Sequence, residues 1–178
     1  MSPTTSLACA CGQFKLTLRG EPITSVACHC DSCRAAGARL QRLACARPLL
    51  DPLGGTRFVL YRKDRIRFVA GMDRLKAFRL SSDASTRRVL ASCCNTPVFL
   101  EFKGGHWLSL YGGLWPDTTL PPLEMRTMTG DLADASFLPA DVPNFKRQSF
   151  SFFARLLNAW IAMGFRSPRI EVGGEIHA

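Results

Sequence analysis

Cys28-His29-Cys30-Asp31-Ser32-Cys33-Arg34 is the stretch from which the rest of the chain is best read, because it places three thiols within six residues. Two further clusters flank it. Cys9-Ala10-Cys11-Gly12 lies upstream, with a glycine that lets the backbone turn around an ion. Cys93-Cys94-Asn95-Thr96-Pro97 lies downstream. Thiolates are soft ligands, and pairs this closely spaced fit zinc. The eighth cysteine, Cys45, stands alone and is read as a small buried core thiol. An even count of eight would also fit a disulfide framework. However, Met1 to Ala10 has neither the basic nor the apolar region of a secretory signal, so the expectation is a cytoplasmic protein with reduced thiols.

Outward from the clusters, the pattern is mostly strand. Phe14 to Leu18 alternates, Ile23 to Cys28 delivers Cys28 to a strand end, and Asp31 to Ala38 reads as a short helix with Asp31 as its N-cap. Pro48 to Gly55 is turn-rich. Phe58–Tyr61, Ile66–Ala70, Leu75–Leu80 and Arg88–Ala91 are strand-like, with Ile66 and Phe68 inward and Arg65 and Arg67 outward. Val98–Phe102 and Trp107–Tyr111 form a hairpin across Lys103-Gly104-Gly105-His106, and Leu123–Met128 is a last strand. The domain reading is a zinc-binding β domain over 1–130, a linker over 131–148, and a helix and tail over 149–178.

Length and composition agree with a folded domain. The chain has 178 residues, 47% hydrophobic and 21% charged, which excludes a disordered linker protein. No window is apolar enough for a membrane span. The net charge is +9. Residues 57 to 88 carry ten basic side chains against Asp64, Asp73 and Asp83, so this stretch supplies +7 of it. A basic stretch of this kind suits nucleic acid, a membrane surface or a small carboxylate, or is simply the solvated face of a sheet. Ser149 to Met163 is predicted as a helix closed by Gly164 and Pro168. Phe150, Phe153, Leu157, Trp160 and Ile161 share one of its faces, and Phe152, Leu156, Ala159 and Met163 cover most of the rest. A helix apolar nearly all round must be covered by something: its own sheet, a second copy in a homodimer, or a membrane surface.

Cys9-x-Cys11-Gly12, Cys28-His29-Cys30-x-x-Cys33-Arg34 and Cys94-Asn95-Thr96-Pro97, in that order, resemble the GFA family of glutathione-dependent formaldehyde-activating enzymes and centromere protein V. The resemblance runs from about Leu7 to Pro122, and Gly113-Leu114-Trp115-Pro116-Asp117 matches a family turn more loosely. It implies a mainly β fold, an antiparallel β-tent whose sheets are linked by zinc, here followed by the C-terminal α-helix. It implies two zinc sites: a catalytic one at Cys28, Cys30 and Cys33, and a structural one at Cys9, Cys11 and Cys94. The chain departs from the family at Ala91, where the fourth structural thiol usually stands, and at Asn95, usually glycine. Cys93 is the substitute ligand, provided that a bulge or turn brings neighbouring side chains to one ion.

The chemistry follows from the ligand count. Four thiolates close a tetrahedral zinc and make it structural, whereas three leave one position open. Zinc with three thiolates carries a formal −1 and suits holding a fourth sulfur as thiolate. The expected function is therefore a zinc-dependent carbon–sulfur lyase acting on a thiol–aldehyde adduct of the glutathione kind. Arg34 or an arginine of the 57–88 stretch would clamp its carboxylates, with His29 and His106 as weaker acid–base candidates. The alternative is a non-catalytic zinc module whose basic face binds nucleic acid or a protein.

Overall fold

The computed structural model describes residues 3–178. Among the described residues, ten strands make two sheets. The small one joins β1 (Thr4–Ala8), β2 (Lys15–Arg19) and β5 (Ile66–Ala70). The large one runs in the order β10-β3-β4-β9-β8-β7-β6. It contains β3 (Thr24–Cys28), β4 (Thr56–Arg62), β6 (Leu75–Phe78), β7 (Thr86–Ala91), β8 (Thr96–Phe102), β9 (Trp107–Tyr111) and β10 (Met125–Thr127). All neighbours are antiparallel except β10, which lies parallel to β3. The mainly β architecture with a C-terminal helix is the one expected from the sequence.

The large sheet is the middle of three layers. Alternation along β4 sends Val59 and Tyr61 to one face and Phe58 and Leu60 to the other. On the first face Val59, Val89, Phe99 and Leu110 meet Phe14, Leu16 and Leu18 of the small sheet. On the second face lie two helices, α1 (Asp31–Leu40) and α2 (Phe150–Ala162). Ala36 and Leu40 of α1 pack on Phe78 and Leu90. Phe152 and Leu156 of α2 pack with Phe58, Leu60 and Leu100. Burying Phe152 and Leu156 contributes about 3–6 kcal/mol of transfer free energy, enough to dock a short helix.

Three local expectations are corrected. The N-cap of α1 is Cys30 rather than Asp31: its sulfur accepts from the Cys33 N–H, which moves the start of the helix back and leaves Asp31 in the first turn. Cys45 is exposed, in a positive-φ turn after α1, rather than buried. Of the covers expected for α2, its own sheet supplies only one side: Phe152, Leu156 and Ala159 are buried while the Phe150–Leu157–Ile161 face is open.

The chain between β10 and α2 returns to lie parallel beside β10. Arg126 donates its N–H to the Pro143 carbonyl, and Phe145 donates to that of Arg126. The buried Arg126 guanidinium holds Asp141 at 2.7 Å. Beyond α2, Glu175 bridges Ala77 on the outer edge strand β6.

Candidate metal centres

Each centre is built by a strand end meeting a turn. At the first, β3 is buried along its whole length and ends at Cys28. His29 then donates its N–H to the Thr127 carbonyl at 2.9 Å, which fixes the exit from the strand. Cys30 caps α1, and Cys33 follows in the first helical turn. The three sulfurs lie within 4.8 Å of one another. Cys30 is the thiolate of the group: hydrogen bonds from Cys28 and Cys33 outweigh the effect of burial and pull it far down, to about 2. Cys28 is raised to about 11, its hydrogen bond to Cys30 outweighing the opposing one from Cys33, and Cys33 is raised chiefly by donating to Cys28 and Cys30. Cys30, the lowered thiol, sits at the N-terminus of α1, where the backbone dipole favours a negative charge.

The walls are apolar on one side and cationic on the other. Phe58, Tyr111 and Met125 belong to the same buried apolar cluster as Cys28 and Cys33. Arg88 is 1% exposed and donates from one Nη to the Ser32 carbonyl (3.0 Å) and hydroxyl (2.9 Å). Its Nε and other Nη have no protein partner among the described residues. Burial pushes the Tyr111 phenol well above its ordinary value, against the opposing pull of the Arg88 guanidinium, so it stays protonated. Sequence reading did not single out Arg88 or Tyr111 for this centre.

His29 is fully buried but is not among the groups whose atoms converge with these sulfurs. Its ring lies against the Asp51 turn, in which the Asp51 carboxylate accepts from the Leu53 and Gly55 N–H groups at 2.9 and 2.8 Å. Burial, helped by Arg126 and Arg34, pushes the imidazole down and keeps it neutral. Arg34 is tied to Asp31 and to the Asp131 carbonyl, joining α1 to the turn after β10. His106 donates from Nε2 to the Leu156 carbonyl, 2.8 Å away, and stacks on Trp160.

The second centre joins the two sheets. Cys9 and Cys11 follow β1 in a turn closed by the Gly12 N–H on the Cys9 carbonyl, with Gly12 at φ +76°. Cys93 and Cys94 fall between β7 and β8, outside both strands, so strand alternation does not separate them. The turn closes from the Cys94 N–H to the Ala91 carbonyl, and Asn95 takes φ +53°, a conformation that asparagine tolerates where glycine is the usual choice. Sulfur separations are 3.5 Å for Cys9–Cys11, 3.7 Å for Cys9–Cys93, 3.3 Å for Cys11–Cys93 and 3.9 Å for Cys93–Cys94. All four sulfurs lie within 4.8 Å. These separations are far too long for disulfides. They bracket the edge of about 3.8 Å that Zn–S bonds of about 2.3 Å give a tetrahedron. Cys94 is held at about 6: burial pushes it up, but hydrogen bonds from Thr96 and from backbone N–H groups outweigh that. Cys93 is pushed up by burial and by its thiol neighbours. Ala91, in contrast, is wholly buried in the core. Either centre can hold a metal ion: the second offers four sulfurs, the first three.

The family of unknown function DUF6151 matches residues 1–113, well over half of the chain. The chain belongs to the DUF6151 family. The matched stretch of this DUF6151 protein contains all seven clustered cysteines, Arg88 and Tyr111, and stops before β10 and α2. No curated protein matches it. Among solved structures, a crystal structure of a Rhodobacter sphaeroides protein is similar at 13% identity and a TM-score of 0.46, over 67% of this chain and 97% of that one.

Most of the basic stretch has internal partners. Lys63 (2.6 Å) and Arg87 (2.6 Å) share the buried Glu101 carboxylate. Arg62 pairs with Asp64, Arg74 with Asp73 and Arg79 with Glu175. Among the described residues, no helix is long and apolar enough to cross a membrane.

Proposed function

We propose that the protein is a zinc-dependent enzyme of the GFA type that makes and breaks the carbon–sulfur bond of a thiol–aldehyde adduct at Cys28, Cys30 and Cys33, with Cys9, Cys11, Cys93 and Cys94 holding a structural zinc. The observation that carries this reading is the contrast in donor sets: four converging sulfurs at one centre and three at the other, the latter walled by Tyr111 and Arg88. A zinc ion with three thiolates would supply an open coordination position that keeps a substrate thiol deprotonated at neutral pH. In the addition direction, a thiolate sulfur attacks the aldehyde carbon and forms the C–S bond. The C=O π pair moves to oxygen, and the oxygen takes up a proton. In the reverse direction the hydroxyl proton leaves, the carbonyl re-forms and the thiolate departs. Tyr111 is the proton-bearing group suited to this oxygen, since burial holds its hydroxyl protonated. Arg88 adds a fixed positive charge for the developing oxyanion or for a substrate carboxylate. The cysteine order and the Asn95 turn support the GFA type, with Cys93 standing in for the thiol that Ala91 lacks.

The test is a metal count followed by thiol titration. Two zinc ions per chain are expected, falling to one in Cys30→Ser. In cobalt-substituted protein, glutathione should shift the thiolate-to-metal absorption of the wild type and leave that of Cys30→Ser unchanged. Turnover of the formaldehyde–glutathione adduct should then drop at least tenfold in Tyr111→Phe. If no thiol perturbs the spectrum, the enzyme reading fails. Steeply salt-dependent binding to duplex DNA by the same preparation would then favour the non-catalytic zinc module.

A further inference from the structure

α2 has three sectors rather than two. Phe152, Leu156, Ala159 and Met163 are buried on the sheet. Ser151, Arg155 and Asn158 form a polar edge, with Arg155 paired to Glu124. The third sector is apolar and open: Phe150 is 88% exposed, Phe153 55%, Leu157 50%, Trp160 36% and Ile161 51%, and Phe165 continues it at 60% just past the helix end. Five large side chains on the 13 residues of helix, with Phe165 against Trp160 just beyond, thus form one patch. Soluble monomers rarely leave such a patch without a use.

The charges around the patch indicate what covers it. From Val142 to Ile170 the chain contains no acidic residue, and it carries Lys146, Arg147, Arg155, Arg166 and Arg169. Lys146 and Arg147 are exposed at the start of α2, and Arg166 and Arg169 are exposed beyond its end. Among the described residues, none of these four is in an ion pair. The apolar face is therefore bracketed at both ends by unpaired cations. A two-fold pairing of α2 with a second copy brings these cations together. Antiparallel helices set Lys146 and Arg147 against Arg166 and Arg169, and parallel helices set each pair against itself. An anionic bilayer surface has the opposite sign, and its interfacial region takes Phe and Trp side chains.

We infer that the exposed face of α2 is a docking surface for an anionic lipid bilayer, with the Phe150–Phe153–Leu157–Trp160–Ile161 face set into the headgroup–acyl boundary and the flanking Lys and Arg side chains on the phosphates. The helix lies in the interface and does not cross it. This inference is independent of the chemistry proposed for the cysteine centres.

The experiment is flotation of the full-length protein with vesicles of phosphatidylcholine alone and of phosphatidylcholine mixed with phosphatidylglycerol. Binding to the mixed vesicles is expected, falling at least tenfold on pure phosphatidylcholine and weakening as salt rises. Leu157→Glu and Phe153→Glu, both on the open face, should abolish binding while leaving the circular dichroism and melting of the protein unchanged. Arg166→Ser with Arg169→Ser should weaken binding by about fivefold per charge removed. Trp160 emission should shift to the blue on adding mixed vesicles. Failure to float with mixed vesicles overturns the inference, as does flotation that survives both glutamate substitutions. A concentration-dependent dimer in sedimentation, dispersed by Leu157→Glu and indifferent to vesicles, assigns the face to self-association instead.

Discussion

Cys30 has two jobs at once, and substitution separates them. Its sulfur accepts the Cys33 N–H at the start of α1 and also belongs to the three-sulfur group. Serine preserves the cap and discards the soft ligand, whereas alanine discards both. In protein stripped with a chelator, Cys30→Ala should therefore unfold about 1 kcal/mol more easily than Cys30→Ser in urea titrations. With metal present, the two should show the same loss of one bound ion. Equal stability of the stripped variants would mean that the sulfur cap contributes nothing. Gly55 is a second decisive position, for a steric reason. A Cβ there would lie 2.9 Å from an Asp51 carboxylate oxygen and 2.9 Å from two atoms of the buried His29 ring. Gly55→Ala should cost about 1–3 kcal/mol, measured by urea unfolding, because the buried His29 ring and the hydrogen-bonded Asp51 carboxylate would both have to shift. The cysteine clusters could be read from the sequence because ligand spacing is local. The Cys93 question could not be settled there, because it turns on where strands β7 and β8 stop: both neighbouring sulfurs reach one centre only because the turn between Ala91 and Thr96 lifts them out of the pleat.

At the scale of elements, legibility follows how much of an element's fate is written in its own residues. β2 declares itself through Leu16 and Leu18, which alternate and are fully buried. β1, Thr-Thr-Ser-Leu-Ala, was not expected from the sequence: of its five residues only Leu7 is buried, and its strand form comes from pairing with β2 rather than from an apolar pattern. The parallel placement of β10 beside β3 is a contact between segments about a hundred residues apart, and no local signal encodes it. α2 was legible as a helix but not in its orientation, since every sector save one is apolar. One of the contacts that orient it is the hydrogen bond from His106 to the Leu156 carbonyl, along with the stack on Trp160. Burial lowers the His106 pKa below its ordinary value of 6.5. The unfolded chain then binds the proton more readily than the fold does, so the contribution is fully present above 6.5 and is lost as pH falls below it. Urea unfolding at pH 7.5 and 5.5 should show the wild type losing more stability on acidification than His106→Gln. Equal losses in the two proteins would remove His106 from the account.

Across the whole molecule, the four-sulfur centre is where the two sheets are tied by something other than apolar contact. Cys9 and Cys11 follow a strand of the small sheet, and Cys93 and Cys94 connect two strands of the large one. The small sheet has only three strands of five residues each, and two of them, β1 and β5, are edges. So short a sheet is marginal alone and depends on what it packs against. An ion bound by all four sulfurs acts on the folded state as a ligand does, adding about 2.7 kcal/mol when free metal exceeds its Kd a hundredfold. The three-sulfur centre, by contrast, sits at the end of β3 and the start of α1, both already fixed by the middle layer and by the Arg34 and Arg88 contacts. The two centres should therefore fail differently. Cys94→Ser should bring hydrogen exchange in β1 and β2 forward by at least tenfold while β3, β4 and β9 stay protected. Cys30→Ser should leave β1 and β2 as slow as in the wild type. Should both substitutions open the same amides, or neither open β1, the four sulfurs would not be the tie between the sheets, and the apolar contacts of Leu7, Phe14, Leu16, Leu18 and Phe68 would hold them together.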